Sequence, residues 1–294
     1  MKNKVLTRGD FKMTKKKIAW VTDSVSCITP QDSFKNNIHI VPLSIIFNDK
    51  VYKDGEDLTY EEFYSMLSES SKTPTTSQPS VGEFVELYTK LKEEYEFGIA
   101  VHVTSKVSGT YNTSIMAAEM AGFPMAHIDS KIGAKAQEYI ISEGMKLEED
   151  GKSIEEIVQH LNHLSNSVRG LAVVGNLEQL HKSGRVSGAS LLIGNLLQIK
   201  PILSFNNGAL EPLEKVRTVK KAEKRIVELF LDSFTNKKVQ GVSICHSNNI
   251  SQATRLKEHI EAISSKITLD IGDLSPVISA HVGESSFVLF WFED

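Results

Sequence analysis

Disulfide chemistry has little to work with in this chain, since its 294 residues include only two cysteines, Cys27 and Cys245, widely separated and without metal-like spacing. That excludes a disulfide-stapled scaffold and suits a reducing, cytoplasmic setting. Long apolar runs are missing too. The longest uncharged stretch of the Leu-rich middle, 186–199, is too short to span a bilayer and is interrupted by Gly188, Asn195 and Gln198. The basic N-terminus is followed by no apolar segment of the kind a secretory signal carries. Several chemical signatures are absent: Gly-x-Gly-x-x-Gly, Gly-x-Ser-x-Gly, and a true P-loop, because the glycine that should precede Gly151-Lys152-Ser153 is Lys146. What remains is an ordinary globular balance, 40% hydrophobic and 24% charged. At this length about three quarters of the unfolded surface is buried on folding, enough for stability without staples.

Charge is unevenly placed. Seven basic residues against Asp10 put +6 on residues 1–17, so with −4 overall the remainder carries −10, which repels nucleic acid. Residues 1–16 are expected to be a flexible extension. A second basic stretch, from Lys182 to Arg225, has nine Lys or Arg against three Glu. Lys220, Lys221 and Lys224 read as a solvated helix face. Arg185 and Arg217, in loops or at element ends, are the candidates for phosphate or for an acidic partner.

Strand-like runs alternate with amphipathic helices through 17–166, which predicts an N-terminal α/β domain with a largely parallel, helix-covered sheet. Strands are expected at 18–21, 38–47 (with Pro42 at an edge or bend), 97–103 and 126–128. Thr59-x-x-Glu62, Ser80-x-x-Glu83 and Ser153-x-x-Glu156 are capping boxes. From 167 to 294 the pattern becomes a second α/β domain with antiparallel pairs. It has strands at 171–175, 239–245, 267–271 and 287–292 and a hairpin turning at Asn206-Asn207-Gly208. Helices are expected at 177–182, 189–197, 219–234 and 251–264. A cleft between the halves is the natural place for a ligand.

Two hydroxyl-rich segments precede helices. In Thr75-Thr76-Ser77-Gln78-Pro79-Ser80 and in Ser105-Lys106-Val107-Ser108-Gly109-Thr110-Tyr111, hydroxyls and free backbone N–H groups would form an anion site without formal charge. The alternative is a plain turn in which Ser80 merely caps its helix. Gly109 would let a ligand approach the backbone closely. If both loops lie at one edge of the parallel sheet, they converge at the carboxyl ends of its strands. His281, in a loop or turn near the C-terminus, could orient an acid or cap a turn. His160 and His163 share a helix, but its apolar face is Ile157, Val158, Leu161 and Leu164. The histidines therefore read as water-facing, and no metal site is expected.

The ordered set of Val21-Thr22-Asp23-Ser24, Val41-Pro42-Leu43, Asp54-Gly55, the two hydroxyl segments, Leu180-His181-Lys182-Ser183-Gly184-Arg185-Val186-Ser187, Lys200-Pro201-Ile202-Leu203 and Val216-Arg217-Thr218 resembles the DegV family. These are bacterial fatty-acid-binding proteins that serve a fatty acid kinase. The resemblance runs from about Lys17 to the end. It implies two domains, a lipid tunnel between or beside them, and one long-chain fatty acid with its carboxylate near the domain boundary. It implies Thr76, Ser108, Gly109 and His281 as headgroup contacts, and Arg185 and Arg217 as contacts for the kinase or the acyl phosphate. No cofactor is implied beyond the bound fatty acid, and transient contact with a membrane is allowed. After the histidine the family commonly has His-x-Gly-Pro-Gly. Here His281-Val282-Gly283-Glu284-Ser285 is expected to alter the loop and to place charge beside the headgroup. The implied protein is a carrier rather than an enzyme. The competing reading is an acid- or ester-processing enzyme using Ser108 as nucleophile, His281 as base and Asp23 as orienter.

Overall fold

The computed structural model describes residues 16–70, 72–187 and 199–294. Residues 1–15 of the expected flexible tail and the expected helix at 189–197 lie outside the described residues, and Lys16, the last residue of that tail, opens a strand instead.

The chain enters through β1 (Lys16–Asp23), a short 3-10 turn, α1 (Pro30–Asn36) and β2 (Ile38–Val41). It continues through β3 (Ser44–Phe47), β4 (Lys50–Lys53), α2 (Tyr60–Glu69), β5 (Thr75–Ser77) and α3 (Val81–Glu94). Next come β6 (Tyr95–His102), α4 (Thr110–Ala121), β7 (Met125–Asp129), α5 (Ala134–Glu149) and α6 (Ile154–Ser167). The second half holds β8 (Val168–Val173), α7 (Leu177–Ser183), β9 (Lys200–Asn206), β10 (Ala209–Val216) and α8 (Val219–Asn236). It closes with β11 (Val239–His246), α9 (Ile250–Ile263), β12 (Asp270–Asp273), α10 (Pro276–Val282) and β13 (Phe287–Glu293).

Four strands, in the order β2-β1-β6-β7, make the parallel sheet. Its residues alternate as a doubly covered sheet requires. Ala19, Val21 and Ala100 face α3 and α4, whereas Ile18, Trp20, Ile99 and Val101 face α5 and α6. A six-stranded sheet, β10-β9-β8-β13-β11-β12, is mostly antiparallel. Its period of two sends Leu171, Phe287 and Leu289 toward α8 and α9, and Ala172, Val288 and Phe290 toward α5. Helices α5 and α6 are thus a shared layer between two sheets, and they fill most of the expected cleft. The boundary expected between 166 and 167 falls in the last turn of α6.

One expected strand divides. Residues 38–47 do not run as a single element: β2 ends at Val41, Pro42 carries the chain out of the parallel sheet, and β3 joins β4 and β5 in a separate three-stranded antiparallel sheet. Proline supplies no N–H to a ladder, so a break there is the physical outcome. The three capping boxes all form, at Thr59, Ser80 and Ser153. The 267–271 strand begins later, at Asp270. No described helix is long and apolar enough to cross a membrane.

Although far apart in sequence, the two cysteines meet in the shared core. Its hydrogen-bonding interaction with Cys245, which favours the protonated thiol, and then burial hold Cys27 well above its usual range.

Candidate functional site

A cavity of about 490 Å³ opens at the N-terminal end of α5, where the helical layer stops short of filling the space between the sheets. Its near wall is the set of loops that leave the carboxyl ends of β1, β6 and β7, represented by Val25, Val103, Ser108 and Ala134. Ligands in open parallel sheets bind at this edge. The far wall is the inner face of the six-stranded sheet with α7 and α10, through Ala172, Leu180, Leu210, Ile278, Val288 and Phe290. The interior is mainly aliphatic and aromatic.

Polar groups gather at one end. Thr76 on β5, Gln78, Ser108, Gly109, Arg185 and His281 all line the cavity there. Thr76 Oγ1 and His281 Nε2 are 2.8 Å apart. Ser108 Oγ lies 2.8 Å from Thr110 Oγ1, and the N-terminus of α4 has no side-chain cap. Gly109, the N-cap of α4, lines the cavity, while the first N–H of the helix, that of Thr110, donates to Ser108 Oγ at 3.4 Å. The expected convergence of the two hydroxyl segments holds, but by another route. Thr76 arrives on the small antiparallel sheet rather than from the parallel one. Ser80 takes no part: it caps α3 together with Glu83 and is absent from the cavity wall.

The bare backbone at Gly109 also gives a neighbouring side chain room. A Cβ there would lie 2.0 Å from Gln78 Oε1, so the glycine admits the Gln78 side chain, which reaches across to donate to Thr113 Oγ1 at 2.6 Å. Gln78 was missed because an exposed turn glutamine carries no signal in the sequence.

His281 is held by α10. Ser275 caps that helix. Ser279 joins Ser247 and the Tyr64 hydroxyl in a buried triangle with edges of 2.8 to 3.0 Å. The Asn176 N–H donates to Val282 O at 2.9 Å. Burial, with a smaller effect of the nearby Arg185 cation, pulls the imidazole down to about 4, so His281 is neutral at pH 7.

The residues of the expected triad are engaged elsewhere. Asp23 is fully buried and accepts from His102 Nδ1 at 3.0 Å, Val103 N at 2.9 Å and Val25 N at 3.1 Å. The chain continues from His102 Nε2 to Ser114 Oγ at 2.9 Å and from Ser114 to the Tyr88 hydroxyl at 2.5 Å. Asp23 thus orients His102 and not His281, while Ser108 pairs with Thr110. No nucleophile–base–orienter set is assembled from Ser108, His281 and Asp23.

A DegV family model, described as an uncharacterised protein of that family, matches residues 17–294. The chain belongs to the DegV family. A DegV domain-containing protein of Halalkalibacterium halodurans is 38% identical over 278 residues, covering 94% of this chain and 98% of the relative. Among solved structures, a fatty-acid-binding DegV family protein of Streptococcus agalactiae superposes with TM-score 0.87 at 30% identity, over 95% of this chain and 99% of that one. DegV of Bacillus subtilis, described as a fatty acid binding protein, gives 0.86 at 32% identity, over 95% and 99%.

This DegV chain departs from the expectation for its histidine loop. Glu284 does not line the cavity: it is exposed and accepts from Asn248 Nδ2 at 2.6 Å. Ser285 occupies a left-handed conformation, φ 59°, that glycine adopts more readily. The two arginines separate as well. Arg185 lines the cavity, whereas Arg217 is exposed beyond the end of β10 and does not. Arg217 lies seven positions of extended chain, about 23 Å, from the cavity-lining Leu210. Among the described residues no group of three His, Cys, Asp or Glu could hold a metal, and His163 pairs instead with Asp294 at 3.3 Å.

Asp54, within the Asp-Gly pair of the DegV pattern, is 3% exposed and accepts from Ser24 Oγ at 2.8 Å. Burial raises its carboxyl to about 7, and the Ser24 hydrogen bond opposes that only in part. Between its unfolded value near 4 and about 7, the folded chain therefore holds the extra proton, so this group costs stability as pH rises through that window. Asp54→Asn should match the wild type near pH 4 and exceed it above pH 7. A gain on the order of 2 kcal/mol is expected, allowing for relaxation around the buried group. Urea midpoints of both proteins from pH 4 to 8 check this, and a pH-independent difference refutes it.

Proposed function

We propose that this protein is a carrier for one long-chain fatty acid, with the acyl chain in the apolar cavity and the carboxylate at the N-terminus of α4. The carrying observation is the polarity of the cavity: an apolar interior ending on the hydroxyls of Thr76 and Ser108, the backbone of Gly109 at the start of α4 and a neutral histidine. Burying about 14 methylenes at roughly 0.8 kcal/mol each contributes on the order of 10 kcal/mol gross. The headgroup then has only to be satisfied. In this reading Thr76 and Ser108 donate hydroxyls, the backbone beginning at Gly109 donates N–H groups, and His281 Nε2 completes the set when Thr76 turns to the ligand. The structures described as fatty-acid-binding in two relatives support the assignment.

The finer reading concerns what happens to the bound acid. Hydroxyl donors leave a carboxylate oxygen less neutralised than a bidentate arginine clamp would, and so still reactive. A partner kinase could then phosphorylate the acid in place, with Arg185 beside the acyl phosphate and Arg217 on the exposed basic stretch as a docking contact.

Native mass spectrometry of the purified protein, followed by solvent extraction and lipid analysis, tests the carrier reading. A one-to-one fatty acid adduct is expected. A protein that remains free of ligand after incubation with mixed fatty acids overturns it.

A further inference from the structure

Phe205 lines two cavities at once. On one side is the apolar chamber described above. On the other is a second cavity of about 230 Å³, lined by Lys131, Ser165, Arg169, Asn207 and Gly208 among others. The two differ in character. The chamber wall near Phe205 is Ile132, Leu210 and Phe290, with Thr104 and Lys106 against the adjoining turn at Gly208, whereas the second cavity is bounded largely by amide, hydroxyl and cationic groups. Its cations are already matched, Lys131 by Asp129 at 3.4 Å and Arg169 by Glu293 at 3.1 Å. It is therefore a polar vestibule and not a second anion site.

The sheet register explains why the ring sits between them. Phe290 on β13 lies opposite Gly170 on β8, and the β8–β9 pairing of Leu171 with Ser204 carries Phe205 alongside the same glycine. A row of three neighbouring strands thus reads Phe205, Gly170, Phe290. With no side chain at Gly170, its neighbours close over that position. A Cβ there would lie 2.7 Å from Ile132 Cδ1, 2.9 Å from Phe205 Cδ2 and 3.2 Å from Phe290 Cδ1. Phe205 is itself only half-buried, with one side on the core and the other on the polar cavity.

From this geometry we infer that Phe205 is the chain-length stop of the acyl cavity. Its ring closes the apolar chamber against the polar vestibule. An acid too long for the chamber must displace the ring or push its methyl end among Lys131, Asn207 and Arg169. Burial then stops improving with each added carbon. The inference rests on the fatty-acid reading above and adds a residue that sets which acids fit.

Competition binding with a saturated series of about 12 to 22 carbons tests it on the full-length protein, Phe205→Ala and Phe205→Leu. Each methylene that enters the chamber should tighten binding about fourfold. In the wild type that rise should end at a definite length. In Phe205→Ala it should continue for two or more carbons, so that the first acids beyond the wild-type limit gain on the order of tenfold over the wild type. Phe205→Leu should move the limit the same way by less, and it keeps the test decisive if the alanine variant does not fold. The stop assignment is overturned if all folded proteins bind fatty acids but share one limit. If the wild type binds no fatty acid of any length, the carrier reading itself fails and this inference fails with it.

Discussion

Thr76→Val and Ser108→Ala should each weaken fatty acid binding by about 10- to 100-fold, the worth of one hydrogen bond to a charged group, roughly 1.5–3 kcal/mol. Both substitutions keep the local volume close to the original, so the acyl cavity itself should be unaffected. The double variant should lose less than the sum, because Thr76 and Ser108 would share one carboxylate and readjustment at one donor changes the other. Thr76 has a second partner, the 2.8 Å contact to His281, so part of any loss could come from a displaced imidazole. Thr76→Val in a His281→Ala background separates the two effects: a loss that persists without the imidazole belongs to the hydroxyl itself, and one that vanishes belongs to the displaced imidazole. Titration with displacement of a fluorescent fatty acid is the measurement. Affinities within twofold of the wild type for both single variants would remove the headgroup assignment while leaving a lipid cavity in place.

The largest stability effect is expected at Asp23. Three donors converge on its carboxylate, the N–H groups of Val25 and Val103 and the Nδ1 of His102, in a site with no solvent exposure. Asp23→Ala strands all three. Removing one partner from a buried charged network typically costs about 3–5 kcal/mol, which for a chain of this size lowers the melting temperature by roughly 10 °C. Because Val25 and Val103 also line the acyl cavity, ligand-induced stabilisation should shrink as well. His102→Ala combined with Asp23→Ala should cost much less than the two single effects added, since each removes the reason for the other. Thermal and urea unfolding of the four proteins would show this. A single-variant loss under 1 kcal/mol would mean that water or a repacked side chain satisfies those donors.

The Asp23 result also bears on what could be read without coordinates. Asp23, Ser108 and His281 are chemically suited to a triad, and nothing in their linear order argues against one. His102 goes unnoticed because a histidine at the end of a buried strand looks like any core residue. Only the pairing of β1 with β6, which sets their ends side by side, delivers it to Asp23 and leaves His281 to Thr76.

Local chemistry and long-range register divide the rest. The capping boxes at Thr59, Ser80 and Ser153, the turn at Asn206-Asn207-Gly208 and the switch from parallel to antiparallel texture are legible because each depends on residues only a few positions apart. The same holds for the hydroxyl segments around Thr76 and Ser108, whose side chains declare their chemistry wherever they land. Three features were not legible: the exit of the chain at Pro42 into a third sheet, the seating of Gln78 on Gly109, and the row of Phe205, Gly170 and Phe290. These depend on which strand lies beside which, and at what offset. A strand shifted by a single residue would turn Phe205 to the opposite face of its sheet, with no change in its sequence neighbourhood. The suitability of the hydroxyl segments for an anion therefore follows from residue types, and the fatty acid from the resemblance to the DegV family, while the shape and length of the space it enters follow from strand register, a property of the packed molecule.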